Sequence, residues 1–238
     1  MRNNLLPYAL LAIVGAISTA SATPITVSNP SFEALVLSCT PGPNCFTLGD
    51  IPGWIPSNVP STATFKPSTG AEGGGEFVGI PDGVNVAAIG NAIGGTNIFQ
   101  ALTATVSANT LYTLKVSVGA RADFPFSEYT IDLEAGGTVL ASDSSLNPSP
   151  GTFVPDTITF SSGPAPATLS EQLGIRLSAS GRSVTGAGAQ ADFDQVLLDA
   201  APSVSVPEPN TLFLFVTCCF AFLGYEWIRR KAPLRKAG

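Results

Sequence analysis

The chain reads as an all-β protein, an antiparallel β-sandwich, on three observations. Apolar and polar residues alternate with period two through its central segments, no stretch sustains a helical period, and many of the 24 glycines and 20 prolines fall between the alternating runs as turn signals. About ten strands without intervening helices make a two-sheet packing the natural arrangement.

In chain order the strands are expected at residues 25–32, 62–66, 84–89, 98–102, 112–118, 129–134, 138–142, 157–160, 173–178 and 192–198. The clearest is 112–118, where Tyr112, Leu114, Val116 and Val118 alternate with Thr113, Lys115 and Ser117, as in a sheet with one wet face. Tyr129, Ile131 and Leu133 alternate with Thr130, Asp132 and Glu134, and Leu173, Ile175 and Leu177 with Gly174, Arg176 and Ser178. Pro81-Asp82-Gly83, Gly136-Gly137 and Ser149-Pro150-Gly151 stand between such runs as turns. There is no internal repeat.

The two ends differ from this middle. Residues 1–22 read as a secretory signal peptide: Arg2, an apolar stretch from Leu5 to Ile17, and Ala20-Ser21-Ala22 as the cleavage site. Residues 211–228 form an apolar run of the minimum length for a membrane helix, with Tyr225 and Trp227 near one end and the basic cluster Arg229, Arg230 and Lys231 after it. By the positive-inside rule the basic end is cytoplasmic and everything before Pro207 lies outside. The expected plan is a leader, an ectodomain over residues 23–205, and a membrane-targeted tail over 206–238.

The ectodomain holds fifteen carboxylates against five basic residues, a net charge near −10, whereas the whole chain carries −6. Nucleic acid is excluded as a partner, because its phosphates require a basic surface. Cys39 and Cys45 lie in an exported loop, where an oxidising compartment favours a disulfide between them. The chain has no histidine, which removes Ser-His-Asp and Cys-His catalysis and histidine-ligated zinc. Glu72 and Glu76 are the nearest approach to a glycosidase carboxylate pair, but a glycine-rich turn with solvated acids explains them more simply.

Pro207-Glu208-Pro209, the apolar run and Arg229-Arg230-Lys231 together resemble the PEP-CTERM sorting signal of Gram-negative bacteria. That resemblance implies an exosortase partner, cleavage near the Pro-Glu-Pro, transient membrane anchoring, and delivery to the cell surface or an exopolysaccharide matrix. A second resemblance runs across the ectodomain. Asn29-Pro-Ser-Phe-Glu33, Pro52-Gly-Trp54, Ile98-Phe-Gln-Ala-Leu102, Val118-Gly-Ala-Arg121 and Asp192-Phe-Asp-Gln-Val-Leu-Leu198 occur in an order similar to the galactose-binding-like jelly roll of many carbohydrate-binding modules. It implies a structural calcium on Glu33 and Asp194, and Gln195 departs from the pattern where relatives carry a second aspartate. A sugar would meet Arg121, Phe124 and Phe126 in the polar-aromatic stretch that follows residue 120; Trp54 reads as core. The expectation is a non-enzymatic, polysaccharide-associated binding module, with a purely structural matrix protein and a glycoside hydrolase as alternatives.

Overall fold

The structure is a computed structural model that describes residues 21–70, 75–90, 95–183 and 186–203. The leader up to residue 20, the Pro-Glu-Pro motif, the apolar run at 211–228, the basic cluster and Glu72 lie outside these residues.

Two antiparallel sheets carry the fold. The first is built from β1 (Thr23–Ile25), β2 (Phe46–Leu48), β4 (Thr62–Phe65), β5 (Val86–Gly90), β7 (Thr110–Ala120), β10 (Thr152–Ser161) and β14 (Gln190–Pro202). Its order is β10-β7-β14-β5-β4-β2, with β1 also paired to β14. The second comprises β3 (Ile55–Pro56), β6 (Thr96–Thr105), β8 (Tyr129–Ala135), β9 (Thr138–Asp143) and β11 (Gln172–Ala179), in the order β3-β6-β11-β8-β9. A short ribbon pairs β12 (Arg182–Ser183) with β13 (Gly186–Ala187), and one 3₁₀ turn covers Val59–Ser61. The two-sheet antiparallel sandwich expected from the alternation is present.

The main core lies between the sheets. Tyr112, Leu114, Val116 and Val118 of β7 meet Ile131 and Leu133 of β8, Leu173, Ile175 and Leu177 of β11, and Phe193 and Leu198 of β14. These are the residues that the period of two turns to one face. Each such side chain contributes roughly 1.5–3 kcal/mol by leaving water. Trp54 is 5% exposed, its ring 5.6 Å from that of Phe32, so the tryptophan read as core is core.

A second apolar cluster lies on the opposite face of the first sheet. Along β5, Ala87 and Ile89 join the main core while Val86 and Ala88 join Phe65, Phe77 and Ala63 outside it. The outer face of this sheet is therefore apolar where a simple sandwich would be wet. Gly119 makes room for it: a Cβ there would fall 2.4 Å from the Phe153 ring, which itself packs 4.5 Å from Phe77.

The segment 25–32 departs from expectation. The strand stops at Ile25, and the chain then turns, with Asn29 and Phe32 both at positive φ. Buried Gln100 explains the turn: its amide accepts from Ser28 N–H at 2.7 Å and donates to the Ser28 and Gly53 carbonyls at 2.9 and 2.8 Å. Alternation cannot reveal a partner 72 residues away.

The last strand carries a bulge. Between Asp194 and Leu197 it holds one residue more than β7 opposite, and Gln195 takes φ 51° there. The extra residue lets Asp194 face outward while Val196 and Leu198 return to the core, and Val196 N–H reaches the Pro30 carbonyl at 2.8 Å.

Candidate active site

The outer face of the first sheet forms the floor of a cleft of about 290 Å³. Its walls include Phe46 and Leu48 of β2, Phe65 of β4, and Arg121, Phe124 and Gln190. A second cavity of about 620 Å³ shares Arg121, Asp123 and Phe124 and extends to residues 147–150. The two meet along Arg121, Asp123 and Phe124.

Arg121 is 9% exposed and lies over the Phe65 ring at 4.6 Å and the Phe124 ring at 5.7 Å. Its fork is bound by Asp123, Nε at 3.0 Å and Nη2 at 2.8 Å. The guanidinium is thus neutralised by a neighbour two residues on. Its flat face remains available to the aromatic cluster.

Beneath it lies Asp192. On β14 it stands opposite Ala88 of β5 and Gly119 of β7, so it faces the cleft side of the sheet and not the main core. The residue is fully buried and forms no ion pair among the described residues. Oδ1 accepts a 2.7 Å hydrogen bond from Gln190 Nε2, and Oδ2 is buried without a partner. Burial pushes this carboxyl up to about 7, against the opposing effects of the Gln190 bond and the Arg121 charge, with Asp123 adding to the rise. A buried acid that keeps its proton near neutrality, with one oxygen unsatisfied beside an aromatic cleft, is equipped to protonate an apolar molecule.

The sequence-derived sites fall in different places. Arg121 and Phe124 line the cleft, and Phe126 packs half-buried on the main core, its ring 5.9 Å from that of Tyr129, while also lining the second cavity. Glu76 is 5% exposed and accepts from Ser68 N–H at 2.6 Å and the Ser68 hydroxyl at 2.5 Å. It is a structural turn acid. Cys39 and Cys45 form the expected disulfide, and the strand it leads into, β2, supplies Phe46 to the cleft.

Glu33 and Asp194 do reach a common loop. Glu33 Oε1 accepts from Val84 and Asn85 N–H at 2.7 and 2.6 Å, and Asp194 Oδ2 from Asp82 N–H at 2.9 Å. Burial, reinforced by the charges of Asp82 and Glu33, pushes Asp194 up to about 7. Asn85 Oδ1 nearby is buried and unpartnered, an orphaned acceptor among carboxylates that have no lysine or arginine partner among the described residues. No three aspartate, glutamate, cysteine or histidine side chains among the described residues already converge as a metal cage.

Comparison with known proteins gives the family of the chain. A family model for the HpiC1 cyclase matches residues 23–199. The chain belongs to the HpiC1-like cyclase family. An apo cyclase from Fischerella sp. has a similar structure: 30% identity, 78% of this chain and 99% of that one covered, TM-score 0.67. The Stig cyclase FisC from Fischerella sp. TAU, in complex with (3Z)-3-(1-methyl-2-pyrrolidinylidene)-3H-indole, is also 30% identical, with 77% and 100% covered and a TM-score of 0.66. A cyclase from the same strain, in complex with 4-(1H-indol-3-yl)butan-2-one, is 28% identical, with 77% and 100% covered and a TM-score of 0.64. No curated protein matches the chain.

The expectation of a non-enzymatic matrix module is therefore corrected: this HpiC1-like chain is a cyclase, an enzyme. The error has a physical source. Lack of histidine removes nucleophilic triads, but a reaction begun by protonation needs only one well-placed acid.

Proposed function

We propose that this HpiC1-like enzyme cyclises a flat, apolar, indole-type molecule by proton donation from Asp192. The observation that carries the reading is the partnerless, buried Oδ2 of Asp192 on the sheet face that floors an aromatic cleft. Family membership supplies the reaction class, and the indole compounds held by similar cyclases support the substrate class. Phe46 and Phe124, which line the cleft, offer aromatic surface to a cation that develops on the substrate after protonation. The cleft excludes water from that cation, which otherwise would be captured by hydration. Cyclisation by this route is an isomerisation, so product and substrate have equal mass. The test is incubation of the protein with substituted 3H-indoles and chromatographic detection of new isomers. Asp192→Asn should lower the rate about a hundred- to ten-thousand-fold; undiminished turnover in that variant would remove Asp192 from the mechanism.

The reading includes export. The Cys39–Cys45 bridge supports an oxidising compartment, and the leader and Pro-Glu-Pro tail motifs support transfer across the inner membrane with tail removal by an exosortase. Mass spectrometry of the mature surface form tests this. Intact peptides spanning residues 209–231 in that form would point to a permanent anchor instead.

The reading also gives Glu33 and Asp194 a structural calcium. The support is the orphaned Asn85 Oδ1 and a carboxylate set whose hard oxygens suit that ion. Its role would be to hold the Pro81–Asn85 turn to the bulge of the last strand, away from the chemistry.

A further inference from the structure

We infer that Gln190 fixes the proton of Asp192 on Oδ2, so that the acid can donate only from the oxygen that has no protein partner. The inference rests on the reading of Asp192 as the acid and assigns a positioning residue to it. Gln190 and Asp192 stand two residues apart on one strand, so their side chains share a face. The amide Nε2 can donate and cannot accept, so the oxygen it meets at 2.7 Å, Oδ1, must be the acceptor. In a neutral carboxyl that acceptor is the carbonyl oxygen. The hydroxyl then falls on Oδ2.

Gln190 is itself held at its backbone. Its N–H donates to the Pro125 carbonyl and its carbonyl accepts from Ser127 N–H, both at 3.0 Å. The amide side chain is thus aimed from a fixed base. Around Asp192 the charged groups are Arg121 and Asp123, both just beyond the end of β7; the neighbours across the strands, Ala88 and Gly119, carry none. No other donor among the described residues reaches either carboxyl oxygen, so the amide alone decides which oxygen is the hydroxyl.

The consequence for the reaction is a change in one bond. As Oδ2–H breaks, its electron pair stays on the carboxyl, the proton passes to the substrate, and negative charge spreads to Oδ1. The Gln190 hydrogen bond then meets an ion and strengthens. Loss of a proton from the cyclised cation restores the acid, and no oxidant or reductant enters. Gln190 therefore favours the charged state formed in the step over the neutral state before it.

Infrared difference spectroscopy on the full chain tests this without any substrate. At acid pH the carboxyl C=O band of Asp192 is identified by its loss in Asp192→Asn. In Gln190→Met, similar in size but without a donor, that band should move to higher wavenumber, because its oxygen has lost a hydrogen bond. An unmoved band overturns the inference. A second measurement needs no variant at position 190: the Gln190 side-chain amide signal in ¹⁵N spectra should exchange slowly with solvent and should move in Asp192→Asn. A fast-exchanging, unmoved signal again overturns it. A shifted band in a protein that turns over no indole would leave the Gln190–Asp192 coupling standing and overturn the acid role. Turnover with an unshifted band would do the reverse.

Discussion

The guanidinium of Arg121 stands 4.6 Å from the centre of the Phe65 ring yet spends its hydrogen bonds on Asp123. This arrangement keeps a cation in an apolar cleft without letting it ionise Asp192, the buried acid below. Two carboxylates compete for one guanidinium, and the half-exposed one holds it.

Asp123→Asn should upset that division. With the competing charge removed, Arg121 turns its field on Asp192, and the loss of Asp123 adds to the same effect. The carboxyl then ionises at lower pH. A fall of one unit leaves about tenfold less of the acid protonated above neutrality. Turnover at about pH 8 should drop accordingly while turnover at about pH 5 changes little. A pH–rate profile of this variant checks it; an unchanged alkaline limb counts against the Arg121–Asp192 coupling.

In the parent enzyme, activity should fall as pH rises through about 7, the value to which burial raises Asp192. Stability carries the same sign. The native state holds a proton on Asp192 from about pH 4 to about 7 that the unfolded chain has released, so stability is full at the acid end of that window and declines toward its alkaline end. Asp192→Asn carries no such proton. It should melt above the parent at about pH 8, and the gap should narrow toward pH 5. Thermal melts of both proteins at these two pH values decide the point.

Joint replacement of Cys39 and Cys45 by serine should lower stability by about 2 kcal/mol, the low end expected for so short a closed loop. It should also weaken ligand binding, because the strand that leaves this loop supplies Phe46 and Leu48 to the cleft. Denaturant melts and titration with 4-(1H-indol-3-yl)butan-2-one read the two effects separately. Retained affinity in the serine protein would limit the bridge to stability.

Calcium should raise the melting temperature. An ion that binds only the folded state adds about 2.7 kcal/mol at a hundredfold excess over its dissociation constant. A chelator should reverse the gain, and Asp194→Ala should abolish the difference. Equal melting in chelator and in millimolar calcium would leave the Pro81–Asn85 turn to its hydrogen bonds alone.

Much of the framework was legible in the sequence because a strand's faces are written locally. Leu114, Val116 and Val118 announce β7 by themselves, and Cys39 and Cys45 announce their bridge. The cleft was less legible. Arg121 and Phe124 were marked as ligand-facing, but as an exposed sugar rim, since the sequence does not show that Phe65, 56 residues earlier, comes to lie under the guanidinium. Asp192 could not be singled out. Its burial depends on β5, β7 and the Arg121 stack meeting over it, and no spacing along the chain encodes that. One signal was present: an aspartate on the face of a terminal strand with apolar Ala and Phe around it. The end of segment 25–32 was hidden for the same reason, because Gln100 dictates it from afar.

The last described strand, β14, sits in the middle of the larger sheet, between β7 and β5 and beside β1, the first strand of all. Until Gln190–Pro202 is in place, the sheet is three separate pieces, β10 with β7, β5 with β4 and β2, and β1 alone, and the surroundings of Asp192 do not exist. Closing it joins segments far apart in sequence, which is slow relative to local folding. A topology that defers closure of its larger sheet to its last strand keeps the buried acid and its cleft unformed until the whole sandwich has been assembled.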